Sequence, residues 1–151
     1  MWDLKQPDPV KMIVGILAAD DDCLARAKEA ISIELGRIEL TSQVWPFTQT
    51  HYYDQEIGTN IRRQFVCLDQ LGDPGDLAQI KHQTNALEQR LAQELAYATP
   101  RPINLDPGYI EPSKLVLAST KNFSHRIYIG KNMYAEVTLM VDKGQWSALR
   151  Y

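Results

Sequence analysis

The chain has 151 residues, of which 44% are hydrophobic and 23% charged, and its formal net charge is -3 at pH 7. This is the composition of one globular domain, long enough to bury about two-thirds of the surface of its unfolded chain. The mild acidity argues against a nucleic-acid-binding protein, which needs a positive field. No apolar run approaches the ~20 residues that span a bilayer, so we expect no membrane segment.

The first residues and the cysteines indicate a cytoplasmic protein. Residues 1–10 contain Pro7 and Pro9 and predict an extended arm. They lack a basic segment followed by a long apolar one, so no signal peptide is expected. Cys23 and Cys67 do not form a C-x-x-C pair, and we expect two free thiols in a reducing compartment.

The first half of the chain predicts a strand, a helix and two further strands. A continuous apolar run over 12–18 is typical of a central strand. Three acids at 20–22 provide a helix N-terminus, and apolar residues at helical spacing then predict a helix that ends at Gly36. Alternating residues predict strands over 38–45 and 62–70.

A second helix is the clearest predicted element. Asp73 is a typical N-cap, and Pro74 fits the first helical position. Apolar residues then mark one face over about five turns. The helix is expected to end before Thr99-Pro100, because the residue before a proline disfavours helix.

The last third of the chain predicts short strands and a hairpin. Residues 103–105 predict a strand that stops at a turn over 106–108. The apolar run 114–118 fits a helix or a strand equally well. A β-hairpin is predicted over 125–141, with its turn at 130–132.

This order of elements predicts one α+β domain over residues 1–151. It matches a ferredoxin-like βαββαβ sandwich, in which two helices cover one face of an antiparallel sheet, with an added C-terminal β-hairpin. Sheets of this kind often pair through an exposed face or edge. A homodimer is therefore one expected assembly.

Two polar regions lie in the first two-thirds of the chain. The loop from Thr48 to Asn60 is longer than most connections, and it carries Tyr52, Tyr53 and Glu56. Either the tyrosines attach the loop to the core while its acids face solvent, or these side chains line a site. On the second helix, Lys81, Asn85 and Glu88 form a polar stripe beside the apolar one. That stripe is either an ordinary helix flank or the rim of a site.

A third polar region extends from Asn104 to Glu136. Its polar residues include Asp106, Lys114, Thr120, Lys121, Ser124, His125, Arg126 and Glu136. Four donor residues around a tight stretch predict an anion site, where His125 could act as a general acid or base. The alternative is a surface cluster of cations balanced by Glu136.

No phosphate-binding, dinucleotide-binding, nucleophile-elbow or H-E-x-x-H motif occurs, so the sequence identifies no cofactor. The three histidines, His51, His82 and His125, are scattered. A metal site would require the fold to bring carboxylates to them, and none is predicted.

Six stretches carry a resemblance to a known family. They are Thr50-x-Tyr52-Tyr53-x-x-Glu56-x-Gly58, Ile80-Lys81-x-x-Thr84-Asn85-x-Leu87-Glu88, Asn104-Leu105-Asp106-Pro107-Gly108-Tyr109, Lys114-Leu115-Val116-Leu117-Ala118-x-Thr120-Lys121, His125-Arg126-Ile127-Tyr128 and Tyr134-Ala135-Glu136-Val137-Thr138-Leu139. In this order they resemble the bacterial domain-of-unknown-function family 4416. The resemblance implies that the three polar regions form one assembled site. It names no function, and the family often has an acid where His51 stands.

The leading hypothesis is an enzyme or binding protein for a small anionic ligand, such as a phosphorylated one. The candidate catalytic residues are His125, Glu136, Asp106 and Glu56. The candidate ligand-binding residues are Lys114, Lys121, Arg126, Thr120, Tyr52, Tyr53, Lys81, Asn85 and Glu88. The alternative is a non-catalytic interaction or regulatory module that dimerises through its sheet. It predicts no cleft and an exposed apolar patch around Trp45, Phe47 or Trp146.

Overall fold

A computed structural model describes residues 2–48 and 50–149. Met1, Gln49, Arg150 and Tyr151 lie outside the described residues, so the predicted arm and loop are described without Met1 and Gln49. In chain order the elements are β1 (Lys11–Ala18), α1 (Asp21–Glu34), β2 (Ile38–Thr41), β3 (Trp45–Pro46), β4 (Arg62–Leu68), a 3₁₀ turn (Pro74–Asp76), α2 (Leu77–Leu95), β5 (Ile103–Glu111), β6 (Lys114–Ser119), β7 (Ile127–Gly130), β8 (Met133–Asp142) and β9 (Gln145–Ala148).

Over the described residues, the strands form one antiparallel sheet of nine strands, accompanied by two α-helices. The strand order is β2-β4-β1-β5-β6-β8-β7, with β3 beside β4 and β9 beside β8. The predicted mixed α+β class is confirmed. The predicted hairpin is confirmed as well, because β7 pairs with β8 across the turn at Lys131 and Asn132.

Both helices pack on one face of this sheet, and the main core lies between the helices and that face. Val14 and Ile16 of β1 contact a buried set that includes Ile31 of α1 and Leu87 and Leu91 of α2. The sequence predicted that these elements are buried, because β1 is a continuous apolar run and apolar residues recur at helical spacing in both helices. Within the described residues, no helix is long and apolar enough to cross a membrane.

The other face, which we call the open face, carries Gly15, Phe65, Asp106 and Leu117 in neighbouring strands. A smaller buried cluster of Leu17, Ile57 and Ile61 lies on this face, with Tyr53 packed against it. The loop after β3 therefore folds back onto β1. Tyr53 anchors that loop, whereas Tyr52 is mostly exposed.

The predicted turn at 106–108 is wrong, because β5 runs straight through it to Glu111. β5 pairs with β1 from Ile103 to Ile110, but with β6 only from Gly108 onward. The nitrogen of Pro107 faces the β6 side before that pairing starts, so its missing N–H breaks no ladder bond. Gly108 is required at the first rung, because a Cβ there would collide with the Val116 carbonyl oxygen.

Three further differences concern strand and helix bounds. The strand predicted over 38–45 is two short strands, β2 and β3, joined through hydrogen bonds between Ser42 and Phe65. The run at 114–118 is a strand. A 3₁₀ turn over 74–76 precedes α2, and Asp73 caps that turn by accepting the N–H of Gly75.

Candidate functional site

Strands β5 and β6 are paired only on one side of Gly108 along β5, and they separate on the other side. There β6 leaves β5 and continues beside β8, where Leu117 pairs with Glu136 and Ser119 with Tyr134. Residues 103–107 of β5 are left without a strand on that side. The wedge between the diverging strands holds a cleft of about 560 Å³.

The three polar regions of the sequence meet in this cleft. Of the predicted site residues, those that line it are Tyr52, Tyr53, Glu56, Lys81, Asn85, Asp106, Thr120, Lys121, Arg126 and Glu136. They come from the loop after β3, from α2, from β5, and from the segment around β6 and β8. Arg101, Asn104, Leu117, Ala118 and Ser119 complete the lining.

Two side chains of α2 bind the unpaired backbone of β5 where a strand would otherwise pair. The carboxylate of Glu88 accepts the N–H of Leu105 at 2.5 Å, and the ammonium of Lys81 donates to the carbonyl oxygen of the same residue at 3.4 Å. The Lys81 ammonium also lies 3.4 Å from a carboxylate oxygen of Asp106. Lys81 is only 6% exposed, so it belongs to the floor of the cleft and not to the solvent-facing flank of α2.

The buried position of Glu88 affects its protonation. Burial raises the pKa of the Glu88 carboxyl, and the N–H of Leu105 and the charge of Arg101 oppose that rise only in part. Glu88 lies behind the cleft wall, where its oxygens contact Leu105 and Arg101. Its contacts assign it to supporting β5.

Arg101 organises one wall of the cleft. Its guanidinium lies 3.0 Å from a carboxylate oxygen of Glu56 and 3.3 Å from one of Glu88, and it also donates to the side chain of Asn104. The amide of Asn104 donates in turn to Asp106 at 3.0 Å. This chain of contacts fixes the Asp106 carboxylate, which Lys81 approaches from the other side.

The opposite wall carries two cations and a His–Glu pair. The Lys121 ammonium donates to the Tyr52 hydroxyl at 3.2 Å and lies 5.6 Å from the centre of that ring. The Arg126 guanidinium lies 3.5 Å from Glu136, whose other carboxylate oxygen is 2.9 Å from Nε2 of His125. Glu136 lines the cleft, and His125 lies behind it.

Lys114 does not reach the cleft. Its ammonium lies 2.9 Å from Glu111 at the start of β6, while the cleft lies at the Ser119 end of that strand. Five steps along a strand separate the two positions by roughly 17 Å. Lys114 therefore stabilises the β5–β6 turn.

Arg101 and Asn104 are absent from the set that the sequence predicted. Asn104 stood in a recognised stretch, but a turn was expected just after it, which hid its place in a long strand. Arg101 carried one local signal: it stands between Pro100 and Pro102, which hold the chain extended as β5 begins.

Among the described residues, no group of three or more His, Cys, Asp or Glu side chains is placed to hold a metal ion. The lining cations Lys81, Arg101 and Arg126 each have a carboxylate within 3.5 Å. Lys121 has no such partner in the part of the chain that the structure describes. Its charge is available at the mouth of the cleft.

The chain matches one family model over residues 8–151, that of the domain of unknown function DUF4416. It belongs to DUF4416. No curated protein matches the chain, and no solved structure does.

Membership of DUF4416 confirms the resemblance drawn from the sequence. The stretches that carried it contribute Tyr52, Lys81, Asp106, Lys121 and Glu136 to one cleft. The family description states no activity. The chemistry of the cleft therefore provides the main indication of what this DUF4416 protein does.

Proposed function

We propose that the cleft binds a small anionic ligand through Lys121 and Arg126. The observation that carries this proposal is the pairing of charges. Lys121 stands at the cleft with a neutral hydroxyl as its hydrogen-bond partner, and the described residues offer it no carboxylate. A lysine in that setting gains a charge-assisted hydrogen bond when an anion arrives.

Arg126 supports the same proposal. Its Nε is buried and has no hydrogen-bond partner within the described part of the chain. One terminal nitrogen donates to the Lys121 carbonyl oxygen at 3.1 Å, which holds the two cationic residues together. Because Arg126 lines the cleft, a ligand oxygen there would form a charge-assisted hydrogen bond with its guanidinium.

The carboxylates of the cleft narrow the ligand class. Asp106 and Glu136 line the same space as the cations, and both are acceptors when ionised. A ligand with hydroxyl groups next to its anionic group, such as a sugar phosphate, would satisfy both kinds of side chain. If the ligand is a substrate, Glu136 is the group best placed to exchange a proton with it, with His125 as its positioning residue.

A thermal-shift titration tests the proposal. The full chain would be mixed with inorganic phosphate, sugar phosphates, nucleotides and organic acids, and the same series repeated with Lys121→Gln. A ligand at 100 times its Kd adds about 2.7 kcal/mol to the free energy of unfolding. We expect that gain to fall sharply in Lys121→Gln.

Lys143→Gln is the matched control, because Lys143 lies in the β8–β9 turn and does not line the cleft. Its ligand response should equal that of the unchanged protein. Equal responses in all three proteins, or no response to any compound, would overturn the proposal.

The fold and the compartment extend this proposal. We infer that β2, β4, β1 and β5 with both helices form a ferredoxin-like unit, to which β6–β9 are added. The order β2-β4-β1-β5 and its antiparallel pairing support that assignment. A cytoplasmic location is part of the proposal, supported by the free thiols of Cys23 and Cys67.

A second candidate function is a module that dimerises through the sheet edge formed by β7 and β9. Ile127 is 71% exposed on β7, and Trp146 of β9 is half-exposed on the same edge. Trp45 lies at the opposite edge, beside β4, and is no part of this patch. Sedimentation velocity tests this function: it requires a dimer that Ile127→Asp converts to a monomer, and a monomeric unchanged protein rejects it.

A further inference from the structure

A second cavity opens on the open face, at the edge of the sheet beside β3. We call it the aromatic groove. Its volume is about 480 Å³, and it is lined by Trp45, Pro46, Phe47, Thr48, Arg63 and Phe65. None of these residues lines the cleft. The proposed ligand of the cleft makes no use of them.

Arg63 lies between two aromatic rings in this groove. Its guanidinium carbon is 4.6 Å from the centre of the Phe65 ring and 5.5 Å from that of Phe47. A terminal nitrogen lies over Gly15, 3.6 Å from where a Cβ of that residue would be. The guanidinium is therefore held in place by rings and by the absence of a side chain at position 15.

Within the described residues Arg63 has no acid at ion-pair distance, although the charge of Asp106 acts on its guanidinium. The other arginines with described side chains each lie 2.7 to 3.7 Å from a carboxylate: Arg26, Arg37, Arg62, Arg90, Arg101 and Arg126. Arg63 has neither an ion pair nor a side-chain hydrogen bond in the described part of the chain. It is half-buried, and burial lowers the pKa of its guanidinium. Its N–H donors are therefore free to form charge-assisted hydrogen bonds with an incoming anion.

Trp45 provides the second half of a binding site. Its ring is 39% exposed, and it meets Phe65 edge to face, with ring centres 6.4 Å apart. A flat ring placed in the groove would bury the exposed part of Trp45 and stack against it. The planar fork of a guanidinium matches the two oxygens of a carboxylate.

We propose that the aromatic groove is a second binding site, which takes a small aromatic carboxylate, with its carboxylate on Arg63 and its ring against Trp45. The acid whose charge acts on Arg63 is Asp106, which is opposite Gly15 in the strand register. Its charge is offset by Lys81, so it does not close the groove to anions. Phe47 packs against Tyr53 at 6.1 Å between ring centres, so the groove and the cleft adjoin through these rings.

The test uses benzoate as the probe and benzamide, its uncharged analogue of the same shape, as the control. The full chain would be labelled with nitrogen-15, and the NMR signals of the Arg63 Nε–H and the Trp45 indole N–H followed during titration. We expect both signals to shift saturably with benzoate. Benzamide should bind at least about tenfold more weakly, because it cannot form the charged pair.

Three variants separate the parts of the proposal. Arg63→Lys keeps the charge but loses the planar fork, and should weaken benzoate binding by about tenfold. Trp45→Ala should weaken it too and, since Trp45 is partly exposed, serves as the variant that folds if Arg63→Lys does not. Lys143→Gln, which alters neither the cleft nor the groove, should leave benzoate binding unchanged. The NMR signals of Arg63 and Trp45 report on the groove, whereas the thermal-shift response of Lys121→Gln reports on the cleft, so failure of the cleft proposal and failure of this one are distinguishable.

Several outcomes would overturn this second site. One is the absence of saturable shifts at Arg63 and Trp45. Others are equal binding of benzoate and benzamide, benzoate binding that survives unchanged in Arg63→Lys, and inorganic phosphate binding as tightly as benzoate. The last result would leave Arg63 as a general anion site without selectivity for aromatic rings.

Discussion

The two faces of the sheet are built on different principles. The face under the helices is closed by apolar contacts, in which Ile16, Ile31 and Leu91 have no exposed surface. The open face is held by a small apolar cluster and by charged groups that cross the wedge between β5 and β6. The face under the helices therefore stabilises the fold, whereas the open face gives up some stability to keep charged groups within reach of water.

The largest expected effect is a loss of stability at the face under the helices, which we call the covered face. Leu91→Ala should lower the free energy of unfolding by about 2–5 kcal/mol, because Leu91 is fully buried against the sheet and its truncation leaves a cavity. Urea denaturation measures it. Ile33→Ala on the exposed side of α1 is the control and should change stability by less than about 0.5 kcal/mol. Similar losses in both would contradict the assignment of Leu91 to the main core and of Ile33 to the solvent side of α1.

A smaller effect is expected at the wedge. Glu88→Ala removes the acceptor of the Leu105 N–H and should cost about 1–3 kcal/mol. Glu88→Gln retains an acceptor oxygen and should cost less. If both variants have the same stability by denaturation, the carboxylate does not replace a strand at this edge.

The same residue predicts a pH dependence of stability. Its folded pKa lies above the ordinary value of 4.5, so the folded protein takes up a proton before the unfolded chain does. Stability should therefore rise as the pH falls through the raised pKa, and the gain should level off near 4.5. Denaturation at a series of pH values tests this, and Glu88→Gln should lack that rise. An identical profile in the variant would contradict it.

The smallest effect is expected at the mouth of the cleft. Lys121→Gln should change stability by less than about 0.5 kcal/mol, since its hydrogen bond to Tyr52 is exposed. A thermal melt without ligand measures this. A large loss would mean that Lys121 holds the loop in place, and would remove the main support for its binding role.

Periodicity in the sequence was enough to place the covered face. The apolar spacing in α1 and α2 predicts which of their residues are buried, because a single face of each helix meets the core, and the continuous apolar run of β1 predicts a strand buried on both faces. The open face was harder, since its shape depends on where two strands separate. Asp106-Pro107-Gly108 has the composition of a turn, and the strand continues because Pro107 pairs with β1 on one side while pairing with β6 on the other side starts only at Gly108.

The residues that line the cleft were predicted only in part, because some of them are placed by strand pairing and not by local sequence pattern. Polar residues that stand out in a loop or on a helix, such as Tyr52 and Lys81, were found from local pattern. Arg101 and Asn104 were not, because their role comes from the unpaired edge of β5. Lys114 was included on charge alone, and its partner Glu111 lies just across a turn.

The wedge between β5 and β6 also determines how the walls of the cleft are held in position. Its two walls are joined at one end by the short β5–β6 ladder that begins at Gly108. Outside the cleft lining, Nε2 of His82 lies 2.7 Å from the Lys131 carbonyl oxygen and ties the β7–β8 turn to α2. Because both contacts belong to the fold itself, the ligand proposed above would find the walls of the cleft already positioned, which lowers the free-energy cost of organising its binding site.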